Sequence, residues 1–169
     1  MTTIWVMCCT FLALVVELLA GDRGVVLPLF PVTVFYFSVV LGWRRTAVLF
    51  LALGTVLDLA FGRAVPVATL AVPGVQAFAV FWRRHGDCRR RGSQAVPGFA
   101  LGALSGLLSL VLVALPGARW DRALVGDALC ILGEAALGAA ILLPLLCAGL
   151  DAAAAHLVFD GYNRVREGR

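Results

Sequence analysis

The chain has 169 residues, of which 62% are apolar and only 14% are charged, whereas globular proteins average about 45–50% and about 25%. With a mean hydropathy of +0.97, this composition excludes a soluble catalytic domain, a receptor ectodomain and a nucleic-acid-binding module. The 14 basic residues are all arginine, so the net positive charge has to be interpreted from their positions.

Charges, glycines and prolines divide the chain into six apolar stretches, each long enough to predict a transmembrane helix. The stretches are residues 3–20, 25–42, 46–62, 65–82, 96–115 and 124–149. Because most connections are very short, consecutive helices should be antiparallel neighbours. We predict an all-α integral membrane protein with six transmembrane helices in one bundle. The bundle is a single domain over residues 1–169, with a basic loop at 83–94 and a tail at 150–169.

The arginines are distributed unevenly between the two predicted sides of the membrane. Ten lie in the 43–45 connection, the 83–94 loop and the tail, and four lie on the opposite side. Arginine-rich loops stay in the cytoplasm, so the sequence predicts a multi-pass topology with both termini cytoplasmic. The cytoplasmic basic loop would face anionic membrane lipids, and its cluster consists of Arg83, Arg84, Arg89, Arg90 and Arg91.

Three acidic residues lie inside the apolar stretches, namely Glu17, Asp58 and Glu134. Insertion scales assign a membrane-embedded charge a cost of about 2.5–3.5 kcal/mol, so each carboxylate should face protein or water. In the predicted topology all three lie in the outer half of the bundle. Two interpretations are open. The carboxylates either form hydrogen bonds between neighbouring helices near the interface, or line an outer polar recess that receives a partner helix or a small ligand.

Small residues four positions apart predict faces on which helices pack closely. Gly54 and Gly62 flank Asp58 in this way. The fifth and sixth stretches carry further stripes, which we expect to be helix-packing positions: Gly98, Gly102, Gly106, Gly126 and Gly138.

The sequence offers no convincing catalytic, cofactor or metal site. It lacks the nucleotide-binding and zinc-protease motifs, and its five cysteines form no paired motif. Ser105 and His156 are the residue types of an intramembrane Ser–His dyad, but a nucleophile and its base must be within hydrogen-bond reach. Ser105 should lie in mid-membrane and His156 beyond the sixth span. We therefore expect a protein without enzymatic activity.

The middle of the chain resembles the MreD family of bacterial rod shape-determining membrane proteins. The matching features are Leu29-Phe30-Pro31-Val32, an aromatic-rich span ending near Gly42, and the pattern Gly54-x3-Asp58-Leu59-x2-Gly62. A further span leads to Phe81-Trp82-Arg83-Arg84, which opens the basic loop. The resemblance covers residues 29–84 and adds Pro31 to the candidate partner-docking or recess residues, which are Glu17, Pro31, Gly54, Asp58, Gly62 and Glu134.

The resemblance implies a non-enzymatic scaffold of the cell-elongation complex in the bacterial inner membrane. It implies an MreC-like single-span partner and, more distantly, an MreB-like filament and a peptidoglycan polymerase–transpeptidase pair. The implied fold is similar to that of the substrate-binding subunits of energy-coupling-factor transporters. No cofactor and no nucleic acid are implied.

Two alternative functions stay open at this stage. One is a six-span subunit that captures a small, vitamin-type molecule for a transporter. Such subunits usually carry A-x3-A in the first span for docking, where this chain has Ala13-x3-Glu17, and this difference counts against that function. The other is a membrane protein that shares neither function.

Overall fold

In the computed structural model, the described residues are 2–62, 65–86, 91–111 and 122–156, and all regular structure within these ranges is helical. The six α-helices in chain order are α1 (Thr2–Asp22), α2 (Leu29–Leu41), α3 (Trp43–Ala60), α4 (Val67–His85), α5 (Ala95–Ser109) and α6 (Arg122–His156). A 3-10 turn over Arg91–Gln94 precedes α5. The predicted all-α class is confirmed over these ranges.

The shortest helix, α2, lies at the centre of the bundle. It contacts all five other α-helices, and all of its residues from Phe30 to Val39 are buried. Its aromatic side chains pack against one another and against α3 and α4, as in the pairs Phe35–Phe78 and Phe37–Phe50. A helix that is apolar on every side is expected at such a fully surrounded position.

The beginning of α2 differs from the predicted span, which starts at residue 25. The helix begins only at Leu29, directly after Pro28. Pro28 and Pro31 lack an amide hydrogen, so both are tolerated in the first turn of a helix but not in its interior. Residues 25–28 instead form a segment without regular structure. The 13 residues of α2 span only about 20 Å, less than the ~30 Å hydrocarbon core of a bilayer.

Two of the described helices are long and apolar enough to cross a membrane. They are Ile4–Asp22 in α1 and Gly126–Ala153 in α6, each with a mean hydropathy of 2.2. The other apolar helices, Leu29–Leu41, Thr46–Ala60 and Ala95–Ser109, are shorter. Composition and length therefore associate the chain with a membrane through α1 and α6.

The two ends of the bundle carry different features. Residues 24–28, Phe61 and Val67 surround one cavity at one end of the bundle, which we call the Glu17 end. At the opposite end, which we call the Asp151 end, the Tyr36 hydroxyl of α2 donates a hydrogen bond of 2.8 Å to Asp151 Oδ1 of α6. Tyr36 is 1% exposed, so this bond fixes the depth of α6 against the central helix.

Candidate functional site

Asp58 joins the end of α3 to the beginning of α4. Its Oδ1 accepts the amide of Ala68 at 2.9 Å, and its Oδ2 accepts the amide of Thr69 at 2.9 Å and the Thr69 hydroxyl at 3.0 Å. The first amides of a helix have no acceptor within the helix, and Pro66, at the N-cap position of α4, offers no side-chain acceptor. Asp58, 3% exposed, therefore supplies from α3 the cap that α4 lacks.

The two glycines of the Gly54-x3-Asp58 pattern complete the same hairpin. A Cβ at Gly54 would lie 3.2 Å from the Thr69 Cα, so the absence of a side chain allows α4 to approach α3. Gly62 has a φ of +61° and follows the last turn of α3, in a conformation that L-residues with side chains rarely adopt. The whole pattern thus has a local structural role: one residue for close approach, one for capping and one for the turn.

Glu17 performs a similar task for α2. Its Oε2 accepts the amide of Phe30 at 2.6 Å, and Pro28 at the N-cap position again provides no side-chain cap. In both hairpins the capped amide is the second of the new helix, and a glycine with positive φ ends the preceding turn, Gly24 at +75° in this case. The carboxylate at the end of one helix therefore caps the next helix twice in this chain.

A cavity of about 310 Å³ lies at the Glu17 end, beneath residues 24–28. All six helices contribute to its walls, which are mainly apolar. Its polar groups are the Glu17 carboxylate and the hydroxyls of Ser105 and Ser109. The Ser105 Oγ is buried without a hydrogen-bond partner among the described residues. An apolar cavity with a few polar groups at one side is the usual form of a small-molecule site.

The structure brings together only some of the predicted recess residues. Glu17 and Pro31 line the cavity. Gly54, Asp58 and Gly62 do not, because they form the α3–α4 hairpin beside it. Glu134 is exposed on the surface of α6, so the prediction that it is sheltered between helices is wrong. Its position on α6 turns it away from the bundle, a direction that the glycine spacing alone did not reveal.

The packing glycines also divide into two groups. A Cβ at Gly98 would overlap the carbonyl oxygen of Ala139, and one at Gly102 would overlap that of Ala135. At Gly106 a Cβ would lie 3.1 Å from Leu132 Cδ1. The α5 stripe therefore provides backbone-to-backbone contact with α6.

On α6 the stripe has no such role. A Cβ at Gly126 would meet nothing within 4 Å, and one at Gly138 would only touch Val26 and Pro28 at 3.9 and 4.0 Å. The prediction of close packing at Gly126 is therefore wrong within this chain. The residues of α6 that meet Gly98 and Gly102 are alanines, namely Ala135, Ala136, Ala139 and Ala140.

Of the predicted basic loop, Arg83 and Arg84 are exposed in the last turn of α4. Arg91 begins the 3-10 turn before α5. Arg89 and Arg90 lie outside the described residues, as does the tail beyond His156. Cations in a last turn interact favourably with the negative end of the helix dipole.

The described residues place Ser105 and His156 far apart. Ser105 lines the cavity beside Ala135 of α6, whereas His156 is the last residue of that helix. Twenty-one residues of helix separate Ala135 from His156, which is about 31 Å at the standard rise. Within the described ranges there is also no group of three or more histidine, cysteine or acidic residues able to hold a metal.

The Tyr36–Asp151 contact is an element that the sequence interpretation missed. The sequence places Asp151 in the predicted tail and Tyr36 in the aromatic-rich span, and it does not pair them. The signal available in the sequence was a single tyrosine among valines and phenylalanines, since a buried tyrosine hydroxyl usually finds a partner.

Comparison with known proteins yields no match, either to a family model, to a curated protein or to a solved structure.

Proposed function

We propose that the chain is a non-enzymatic, multi-pass membrane scaffold of the MreD type, in which all six helices form one membrane-embedded bundle. The observation that carries this proposal is the use of Glu17 and Asp58 as caps on the next helix. Acids inside apolar helices usually mark sites of chemistry or transport. In this chain these two support the fold, so the candidate function is one that needs a rigid shape.

The shorter apolar helices, of which α2 is the shortest, are compatible with this proposal. α2 is enclosed by the other helices, with its residues from Phe30 to Val39 buried, so its length does not have to match the thickness of the bilayer. α1 and α6, which are long enough to span, expose apolar side chains along most of their length, including Phe11, Leu12, Leu137 and Ile141. This distribution fits a bundle whose outer helices meet lipid.

In the proposed topology the Glu17 end faces the periplasm, and Arg83 and Arg84 lie at the cytoplasmic surface of the inner membrane. The partner is an MreC-like single-span protein, and the complex supports peptidoglycan synthesis and cell shape. An MreB-like filament and a peptidoglycan polymerase–transpeptidase pair are more distant members of the same assembly. The support for these partners is the resemblance carried by Pro31, Gly54, Asp58 and Gly62.

Affinity purification of the chain from detergent tests the proposal. The chain should be co-expressed with an MreC-like single-span protein from the same genome, and the pair should elute as one species in size-exclusion chromatography. An unrelated single-span protein of the same length serves as the control. Elution of the chain without that partner, or with an ATP-binding cassette pair, would contradict the scaffold function.

A second function, capture of a small molecule, is favoured by the cavity of about 310 Å³ and its buried Ser105 hydroxyl. Native mass spectrometry of the purified chain should then detect a retained ligand of constant mass. Ser105→Leu, which fills the cavity, should abolish retention. Ala100→Leu, at an exposed position of the same helix, is the matched control. Absence of any retained mass, or equal retention in both variants, would argue against this function.

A further inference from the structure

The outer face of α6 combines an apolar surface with one acid inside the apolar run, Glu134, while the other exposed acid on this side, Asp127, lies at the beginning of the helix. Ala135, Ala139 and Leu143 are buried on the inner side of this helix. On the opposite side, side chains at helical spacing are exposed, in the order Cys130, Glu134, Leu137, Ile141 and Leu145. Residues separated by three, four and seven positions share one helix face. We call these five residues the α6 outer face.

Glu134 differs from Glu17 and Asp58 in having no hydrogen-bonding or ionic partner among the described residues. The apolar segment Gly126–Ala153 contains no arginine, lysine or histidine at all, so α6 itself cannot neutralise the carboxylate. Glu134 lies eight residues from Gly126, which is about 12 Å along the helix axis. In the proposed membrane bundle Glu134 therefore lies inside the apolar segment of α6, in the outer half of the membrane.

We propose that the α6 outer face binds a transmembrane helix of another protein, and that this helix presents an arginine or a lysine at the depth of Glu134. The inference rests on the proposed membrane-embedded bundle and names the docking surface and the chemistry of its partner. A cation opposite Glu134 neutralises the carboxylate and donates hydrogen bonds to it, and a guanidinium does so in a bidentate geometry. Gly133, whose Cβ position meets nothing within 4 Å, leaves room beside the pair.

Two other occupants fit the surface less well. A second copy of this chain in a symmetric contact would bring two Glu134 carboxylates close together, and like charges in a dry interface repel. A lipid headgroup carries its cation at the membrane interface, whereas Glu134 lies about two helical turns inside the apolar segment of α6. A partner helix is the occupant that delivers a cation at the required depth.

Synthetic single-span peptides provide the test. Three leucine–alanine peptides differ only at one position, eight residues from the outer end of the apolar segment, where they carry arginine, glutamine or leucine. The full-length chain with a donor dye at its C-terminus is placed in phosphatidylcholine nanodiscs, and energy transfer to acceptor-labelled peptide is titrated. We expect the arginine peptide to bind about tenfold or more tightly than the leucine peptide. Pairing with arginine neutralises the Glu134 carboxylate, and this adds to the binding free energy that helix packing provides.

Variants of the chain locate the effect. Glu134→Gln should abolish the preference for the arginine peptide, and Glu134→Arg should transfer it to a fourth peptide, which carries glutamate at the same position. Asp127→Asn, exposed near the beginning of the same helix, should retain the preference and is the matched control. Circular dichroism melts confirm that each variant is folded. Because Glu134 is exposed, its replacement leaves the core of the chain intact.

Three results would overturn the proposal. The wild-type chain binds the three peptides equally, or Glu134→Gln keeps the preference, or differently labelled copies of the chain associate through Glu134. These results are separable from the fate of the proposed function. If the MreC-like protein co-purifies equally well with Glu134→Gln, the scaffold function stands and only the docking surface is wrong. If the arginine preference is found but the MreC-like protein does not co-purify, the docking surface stands and the scaffold function is wrong.

Discussion

The α3–α4 and α1–α2 hairpins both cap the beginning of their second helix with a carboxylate from the first, but with different numbers of hydrogen bonds. In each, a carboxylate of the first helix caps the second amide of the next helix, after a turn that contains a glycine with positive φ. Asp58 is buried and accepts three hydrogen bonds from Ala68 and Thr69. Glu17 is only half-buried, accepts the amide of Phe30 and lines the cavity.

The comparison shows that the same carboxylate cap is compatible with close helix packing in one hairpin and with a cavity beside the other. In the α3–α4 hairpin the two helices lie in close contact, because Gly54 has no side chain and lets the backbone of α4 approach at Thr69. The α1–α2 connection includes the non-helical residues 25–28, which line the cavity. The two acids fit this difference, since a glutamate side chain is one carbon longer than an aspartate. Asp58 caps a helix that lies in close contact, and Glu17 caps one across a more open connection.

The largest expected effect is that of Asp58→Ala. It leaves two buried helix amides without an acceptor, at about 1–3 kcal/mol for each, so the free energy of unfolding should fall by about 2–5 kcal/mol. Denaturation in mixed micelles, followed by circular dichroism, measures the change. Asp58→Asn, which keeps one acceptor oxygen, should lose less. A loss below that of Glu17→Ala would contradict the greater strength of the α3–α4 cap.

Gly54→Ala should destabilise the chain by about 1–3 kcal/mol, which is typical of overpacking. The new methyl group would lie 3.2 Å from backbone atoms of Thr69, which cannot rotate away as a side chain would. The corresponding position in the first hairpin is Ala13, four residues before Glu17, and it already carries a methyl group. Gly126→Ala, in open space, is the control and should be neutral in the same denaturation assay.

Glu17→Ala should cost about 0.5–2 kcal/mol, as expected for the loss of a helix N-cap. Its second consequence is local: α2 should fray at Phe30, next to the cavity. Hydrogen exchange of the peptide that contains Phe30 should accelerate, while that of the peptide with Ala68 should not. Equal acceleration in both peptides would show that the two caps are not independent.

The smallest effects are expected from Gly24→Ala and Gly62→Ala, at about 1 kcal/mol each. At both positions an added Cβ meets nothing within 4 Å, so only the positive φ opposes the substitution. Melting temperatures of the two variants should therefore fall by similar amounts. If the two decreases in melting temperature differ greatly, the turns, and not only Glu17 and Asp58, contribute to the difference in stability between the hairpins.

Much of the fold follows from the sequence because apolar runs bounded by charges, glycines and prolines are local signals. The helices around Asp58 and the α5 contacts of Gly98 and Gly102 belong to this class. The direction in which Glu134 points and the partner of Tyr36 do not. These depend on which side of α6 meets the bundle, and α6 carries alanines and glycines on both of its sides, so small-residue spacing does not choose between them.

Amide hydrogen exchange of the unmodified chain in lipid nanodiscs tests the central claim most directly, namely that the embedded acids serve as helix caps. First-turn amides have no partner within their own helix and normally exchange fast. We predict that the amides of Ala68 and Thr69 exchange about tenfold or more slowly than that of Phe30, which in turn is slower than an uncapped amide. Rapid exchange at Ala68 and Thr69, equal to or faster than at Phe30, would contradict the account.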